Sequence, residues 1–174
     1  MQKGTLYFFT GLSGAGKTTI GGAFFRRLKA RKNDAVVLDG DMIRPVFMDG
    51  LGYTAADRLT GAKRIFRVCK MLTDQGIEVV CCSISMFGEV RAWNRENIEN
   101  YREIYVRASM ETLRQRDQKG LYSSGAKNVM GVDLPFDEPD APDIIIDNNG
   151  QQTPEAIVRE LEARFSAEKP SHGE

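Results

Sequence analysis

The sequence contains few of the side chains on which many enzymes and binding proteins depend. Among its 174 residues there is one histidine, His172, and there are three cysteines with no C-x-x-C pair. Catalysis by histidine and metal sites built from histidine or cysteine are therefore not expected. Cys69, Cys81 and Cys82 are predicted to be reduced, small apolar residues of a protein in a reducing compartment.

An excess of charge of one sign and long hydrophobic runs are also absent. The 24 basic and 24 acidic side chains balance to a formal net charge of zero, which argues against nucleic acid or another polyanion as a partner. No stretch approaches the roughly 20 apolar residues of a membrane span, and the apolar run that ends at Phe9 is too short for the core of a signal peptide. We therefore expect a cytoplasmic protein with no membrane and no nucleic-acid partner.

Strand-like and helix-like segments alternate along the chain, which at this length predicts one domain over residues 1–174. Apolar runs predict strands at residues 6–9, 35–38, 77–84, 103–106 and 143–146, and other stretches predict helices at 17–32, 41–48, 54–75, 87–100, 110–117 and 154–165. Nearly continuous apolar strands between helices are typical of an α/β fold in which a parallel five-stranded sheet has helices on both faces. Residues 118–142 lack periodicity and are predicted to form a short lid loop, and residues 168–174 a frayed tail.

A phosphate-binding motif follows the first predicted strand. Residues 11–18 read GLSGAGKT, which fits G-x-x-x-x-G-K-[ST]. Glycines there let backbone N–H groups surround phosphate oxygens at a helix N-terminus, while Lys17 reaches the β- and γ-phosphates and Thr18 offers a hydroxyl to Mg²⁺. A glycine-rich turn that matches by chance is the alternative. The predicted ATP-binding residues of this segment are Gly11, Ser13, Gly14, Ala15, Gly16, Lys17, Thr18 and Thr19.

Two carboxylates, Asp39 and Asp41, follow the second predicted strand. Ligands of open α/β sheets bind at the carboxyl ends of the strands, so these groups can hold Mg²⁺ through water or accept the proton of an attacking hydroxyl. Because the only histidine of the sequence is His172, near its end, a carboxylate is the natural base. The predicted catalytic residues are Asp41, Lys17 and Asp39. The alternative is an aspartate that caps the next helix, for which Asp41 is well suited.

Basic side chains are further candidates for binding anionic groups, with a solvated surface charge as the alternative for each. They are Arg44, Arg58, Lys63 and Arg64 in the first half of the chain and Arg114, Arg116 and Lys119 at the start of the predicted lid. An arginine that closes over the phosphates with this lid would stabilise transition-state charge.

Together with the phosphate-binding motif, four further segments resemble the adenylylsulfate (APS) kinase family. They are LDGDMIR at residues 38–44, LGYTAADR at 51–58, RDQKGLY at 116–122 and GVD at 131–133, and they are much more specific than the phosphate loop alone. The resemblance covers about residues 6–150. It implies a P-loop kinase that transfers the γ-phosphoryl group of MgATP to the 3′-hydroxyl of a nucleotide, APS in sulfate assimilation, and a possible homodimer.

The resemblance also implies roles for individual residues. Asp41 matches a carboxylate near Mg²⁺ and the acceptor hydroxyl, so that Thr18 and Asp41 are the expected metal ligands. Arg116 matches a residue beside the ATP purine. The expected acceptor-binding residues are Arg44 and Arg58 at the anionic group, Tyr53 stacked on the base, Ser85 in the place of a family serine, and Lys127 in the lid.

Departures from the family pattern are concentrated on the acceptor side. Gly61 replaces an asparagine that contacts the acceptor, residues 84–88 read ISMFG instead of I-S-P-[YF]-R, the lid is shorter, and Val129 stands where a phenylalanine would cover the base. APS is the expected acceptor, and a divergent APS kinase could recover stacking through Phe136. Alternatively, the acceptor is a pyrimidine nucleotide, as for a relative of the cytidine diphosphoramidate kinase type in capsule biosynthesis. A third alternative is a nucleotide-binding protein without catalysis.

Overall fold

The computed structural model describes residues 2–117 and 119–167, which form five strands and six helices. The strands are β1 (Leu6–Thr10), β2 (Ala35–Asp39), β3 (Glu78–Cys82), β4 (Tyr101–Arg107) and β5 (Ile144–Asp147). The helices are α1 (Lys17–Arg31), α2 (Gly40–Phe47), α3 (Ala55–Asp74), α4 (Gly88–Asn97), α5 (Met110–Arg116) and α6 (Pro154–Ala167). The tail predicted at residues 168–174 lies outside the described residues.

All five strands belong to one parallel sheet with the order β2-β3-β1-β4-β5. Strand β1 is central, and its Phe8 pairs with Cys81 on one side and with Glu103 on the other. The predicted parallel five-stranded sheet of an α/β fold is confirmed. Its carboxyl ends all lie at one edge, where ligands of such sheets bind.

Hydrophobic residues pack against both faces of the sheet, as the apolar strands predicted. One buried cluster joins Phe9 to Phe24 of α1 and Leu161 of α6. The other joins Phe8 to Phe66 of α3 and also includes Val90 of α4. The Phe8 and Phe66 rings meet edge to face, with centroids 4.8 Å apart.

Helix ends follow local side-chain chemistry. Thr54 caps α3, because its hydroxyl accepts a hydrogen bond from the Asp57 backbone N–H at 3.2 Å. Helix α2 begins at Gly40, so Pro45 lies in its second turn. Proline there removes one helical hydrogen bond, and α2 ends two residues later at Phe47.

No helix in residues 2–117 or 119–167 combines the length and the apolar character that a bilayer crossing requires.

Candidate active site

Four strands deliver polar residues to the same edge of the sheet. The glycine-rich segment follows β1, Asp39 ends β2, Ser85 follows β3, and Asn148 follows β5. These positions are far apart in sequence and adjacent only because the strands are parallel. The phosphate loop occupies the centre of this edge because β1 is the central strand.

Glycine is required by geometry at both ends of the phosphate loop. Gly11 has φ +145° and a Cβ there would lie 2.1 Å from the carbonyl oxygen of Val106. Gly16, the N-cap of α1, has φ +105°, and its Cβ would lie 2.4 Å from Nδ2 of Asn148. Side chains would therefore both strain the backbone and push the loop away from its neighbouring strands.

Lys17 lies inside this loop with only 9% of its surface exposed. Its Nζ donates a hydrogen bond of 2.8 Å to the carbonyl oxygen of Leu12. Burial lowers the pKa of the Lys17 ammonium from 10.5 to about 8, and the positive charge of Lys119 adds to this lowering. Among the described residues the Leu12 carbonyl is the one hydrogen-bond acceptor of the ammonium, so the buried charge is prepared to bind an anionic ligand.

Side chains from the second half of the chain hold three consecutive carbonyl groups of the loop. The Tyr122 hydroxyl donates to Ser13 at 2.8 Å, Nη1 of Arg116 to Gly14 at 3.2 Å, and Nδ2 of Asn148 to Ala15 at 2.8 Å. In a trans peptide the N–H points opposite to the C=O. The N–H groups of Gly14 and Gly16 therefore point away from these donors, as an anion-binding loop requires.

Two of these three donors were not among the predicted site residues. Arg116 was expected beside the ATP purine, and it contacts the loop itself. Tyr122 lies in the RDQKGLY segment, but the residue whose carbonyl it contacts, Ser13, is 109 positions away in the sequence. Asn148 could have been found, because it directly follows a strand whose carboxyl end had to lie at the ligand edge.

Hydroxyl and carboxylate oxygens form a cluster beside the start of α1. The Thr18 hydroxyl donates a 2.6 Å hydrogen bond to Oδ2 of Asp39, and Oδ1 of Asp39 accepts from the Asp41 N–H at 3.0 Å. Asp39 is thus the cap of α2, whereas the alternative considered for the sequence gave that position to Asp41. Asp41 is 71% exposed and forms an ion pair with Lys119.

This oxygen cluster fits the chemistry of Mg²⁺. Magnesium is typically bound by one or two carboxylates or hydroxyls together with phosphate oxygens and water. Thr18 and Asp41 are the residues predicted as ligands, and the hydrogen bonds of Asp39 connect the two.

The predicted acceptor-binding residues form a second cluster around Tyr53. Cζ of Arg44 lies 3.9 Å from the centroid of the Tyr53 ring, and Cζ of Arg58 lies 5.4 Å from it. Nε of Arg58 donates to the Tyr53 carbonyl at 3.0 Å. Burial, and then the charge of Arg44, lower the pKa of Arg58 from its ordinary value. Two cations held this close favour an anionic ligand.

Two other residues predicted to bind anionic groups, Lys63 and Arg64, form contacts outside the cluster around Tyr53. Lys63 pairs with Glu89 of α4 at 2.7 Å, and Nη1 of Arg64 donates to the carbonyl of Phe47 at 3.1 Å. Lys127 is exposed in the loop after α5.

Ser85 is buried at the end of β3, where its backbone takes an unusual conformation with φ +28°. Its hydroxyl lies 2.6 Å from that of Ser83. A non-glycine residue with positive φ is strained, and such strain is concentrated at functional sites. The following Met86 is fully buried in the core where the family has proline.

The loop after α5 is attached to the body of the protein over much of its length. Nη2 of Arg58 donates to the carbonyl of Asn128 at 2.7 Å. Val129 is buried, and Phe136 packs against the core cluster that contains Phe9 and Phe24. Arg91 of α4 donates to the carbonyl of Asp137 at 2.8 Å.

Phosphate binding at the carboxyl edge of a parallel sheet, next to oxygens that suit Mg²⁺, is characteristic of a P-loop kinase. The profile of the family described as adenylylsulphate kinase matches residues 3–147. The chain belongs to the adenylylsulphate kinase family, and it is a nucleotide kinase.

Individual relatives support this assignment. The chain is 41% identical over 167 residues to the cytidine diphosphoramidate kinase of Campylobacter jejuni, covering 90% of this chain and 95% of that protein. It is 37% identical over 166 residues to a probable adenylyl-sulfate kinase of Bacillus subtilis, covering 92% and 84%. The structure of the Mycobacterium tuberculosis APS kinase in complex with AMPPNP and APS is similar with a TM-score of 0.87 at 28% identity, covering 95% of this chain and 99% of that one.

Proposed function

We propose that the protein transfers the γ-phosphoryl group of MgATP to the 3′-hydroxyl of a nucleotide that carries an anionic group at its 5′ end. The observation that supports this proposal is the proximity of two anion-binding clusters on either side of Asp41. The buried Lys17 belongs to one of them, and the arginines around Tyr53 belong to the other. Asp41 lies one helical turn before Arg44 in α2.

In this proposal ATP binds with its phosphates on residues 11–19 and its purine beside Arg116. Lys17 neutralises charge on the β- and γ-phosphates, because its ammonium has a carbonyl as its only hydrogen-bond partner among the described residues. Thr18 and Asp41 would hold Mg²⁺, with Asp39 fixing both through its two oxygens. When bound, Mg²⁺ would neutralise the charge that develops on the transferred phosphoryl group.

Asp41 is proposed to orient the acceptor hydroxyl and accept its proton. The hydroxyl oxygen forms the new bond to the γ-phosphorus, the bond from that phosphorus to the β–γ bridging oxygen breaks, and ADP leaves. Lys119 pairs with Asp41 before substrates bind and would then be close to the transferred group. The loop of residues 118–142 would act as a lid, with its part after Val129 packed on the body of the protein.

For the acceptor we propose cytidine diphosphoramidate. Val129 is buried and is not an aromatic residue, so Tyr53 is the aromatic residue that we expect to stack on the base. Loss of one stacking partner costs roughly 1–3 kcal/mol per base, which penalises adenine more because its larger ring system leaves more surface uncovered. The cytidine diphosphoramidate kinase relative, at 41% identity, supports the same choice.

APS is the second candidate. Arg44, Tyr53 and Arg58 keep the family pattern for a nucleotide with an anionic 5′ group, and relatives such as the probable adenylyl-sulfate kinase also match most of the chain. Phe136, which packs beside Gly131 of the lid, is the residue that could recover a second stacking contact.

The test is coupled ADP release with MgATP and either acceptor, added separately. Lys17→Ala serves as the blank, and Lys70→Ala serves as a matched control, because Lys70 pairs with Asp74 at the far end of α3. We expect turnover with cytidine diphosphoramidate, wild-type rates in Lys70→Ala and none in Lys17→Ala. Efficient turnover with APS alone would assign the second candidate, and ATP binding without turnover on any nucleotide would favour the non-catalytic alternative.

A single domain, a cytoplasmic location and a homodimer remain part of the proposal. Gel filtration with light scattering tests the dimer: a mass near twice the 19.4 kDa of the chain supports it, and a mass of one chain excludes it.

A further inference from the structure

A glycine in the middle of a long helix marks an unusual contact next to the acceptor cluster. Gly61 is buried in the interior of α3 (Ala55–Asp74). Glycine is unfavourable relative to alanine in a helix interior, so its presence indicates a packing requirement. A Cβ at this position would lie 3.0, 3.1 and 3.2 Å from Cε, Cγ and Sδ of Met48. Gly61 therefore leaves the space that the Met48 side chain fills.

Met48 in turn contacts the guanidinium group of Arg44. It is the C-cap of α2, so its backbone is fixed by the hydrogen bond of its N–H to the Arg44 carbonyl at 2.9 Å. Its Sδ accepts a hydrogen bond from Nη1 of Arg44 at 3.2 Å. A thioether is a weak acceptor, and its main effect here is to fill the side of the guanidinium that faces α3.

The remaining contacts of Arg44 place its guanidinium over Tyr53. Nη2 donates to the carbonyls of Gly52 at 2.8 Å and Leu51 at 3.3 Å. Cζ lies 3.9 Å from the centroid of the Tyr53 ring, a cation–π contact. One face of the ring is therefore covered by the protein itself, although 53% of the Tyr53 surface is exposed.

We propose that Met48 and Gly61 determine acceptor specificity by holding Arg44 over one face of Tyr53, which leaves the other face for a single-ring base. Arg58, whose Cζ lies 5.4 Å from the centroid of the same ring, is held from the lid side by its hydrogen bond to the Asn128 carbonyl. A pyrimidine needs less room and less stacking surface than a purine, so the fixed arginine favours a cytidine acceptor. This inference rests on the proposed function and adds the residues that set its selectivity.

The test measures the ratio of kcat/KM for cytidine diphosphoramidate to that for APS. In Met48→Ala the arginine loses its support, and we expect the ratio to fall at least tenfold while the KM for ATP stays within twofold. Met48→Leu keeps the volume and should keep the ratio within about threefold. A ratio that is unchanged in Met48→Ala would overturn the proposal.

Gly61→Ala supplies an independent check of the contact. The added Cβ presses on Met48, so the ratio should change in the wild-type background and remain unchanged when Met48 is already alanine. Such non-additivity is the signature of two residues that act through each other. Equal effects of Gly61→Ala in both backgrounds would contradict the proposed coupling.

Calorimetric titration of each acceptor into protein saturated with AMPPNP separates this inference from the proposed function. If the wild-type protein binds both acceptors without turning them over, and Met48→Ala shifts the ratio of the two dissociation constants tenfold, the kinase function fails and the specificity pair stands. If turnover is normal and Met48→Ala shifts neither the ratio of kcat/KM nor the ratio of the dissociation constants, the proposed role of Met48 and Gly61 fails and the kinase function stands. Failure to bind either acceptor would overturn both.

Discussion

Replacing Lys17 with methionine should abolish turnover and at the same time stabilise the ligand-free protein. Lys17 is buried, and its burial lowers its pKa from 10.5 to about 8. A pKa change of one corresponds to about 1.4 kcal/mol, so the folded protein is destabilised by about 3 kcal/mol when this lysine is charged. Methionine removes that penalty but leaves the Leu12 carbonyl without its 2.8 Å hydrogen bond, which costs about 1 kcal/mol. We expect a net gain of about 2 kcal/mol at pH 7.

The gain should depend on pH in a defined direction. Because the pKa of Lys17 is lower in the folded state, the unfolded state binds more protons between pH 8 and 10.5, and the stability of the wild-type protein rises over this range. The penalty on the wild type is complete below about pH 8 and disappears above 10.5. The advantage of Lys17→Met should therefore be largest at pH 7 to 8 and decline as the pH approaches 10.

Urea unfolding of the nucleotide-free proteins at pH 7, 8, 9 and 10 measures these differences. Lys127→Met is a suitable control, because Lys127 is exposed and its loss should leave the free energy of unfolding unchanged. A Lys17→Met protein that is less stable than the wild type at every pH would refute the reasoning, since it would mean that the ammonium is compensated in the ligand-free fold.

Three other substitutions test separate parts of the site. Asp41→Asn should lower kcat at least 100-fold with little change in ATP affinity. Steady-state kinetics measures kcat, and titration of AMPPNP measures the affinity. An unchanged kcat would remove the role of Asp41 as base. Gly16→Ala should lower the free energy of unfolding, measured with urea, by more than about 1 kcal/mol, since φ +105° disfavours alanine and its Cβ would meet Asn148. Equal stability of the two proteins would contradict the loop geometry. Arg91→Ala should cost about 1–3 kcal/mol, because the buried Glu103 carboxylate then keeps only its ion pair with Arg95. Glu103→Gln in the same protein should recover part of this loss, and no recovery would contradict the pairing.

The fold could be predicted from the sequence because its signals are local. The apolar run before Gly11 and the glycine spacing that follows it identify a strand and a phosphate loop, and hydrophobic spacing identifies α3. Boundaries were less certain where two local preferences compete. Pro45 argues for an early position in a helix, yet the cap formed by Asp39 starts α2 at Gly40.

The site could be predicted only as far as its residues carry a motif. Lys17 and Thr18 are recognisable by spacing, whereas the pairing of Lys119 with Asp41 joins residues 78 positions apart. Met48 carries no motif, and its contact with Gly61 arises from the packing of α2 beside α3. Such contacts depend on how elements meet, which composition and periodicity do not encode.

The central claim is phosphoryl transfer to a 3′-hydroxyl, and the most direct test is the position of the new phosphate in the product. Proton-coupled ³¹P NMR of the product formed from MgATP and cytidine diphosphoramidate distinguishes the possibilities. The account predicts a new phosphomonoester signal split by the ribose 3′ proton. A new signal without coupling to that proton, or a phosphate added to the 5′ chain, would contradict the account.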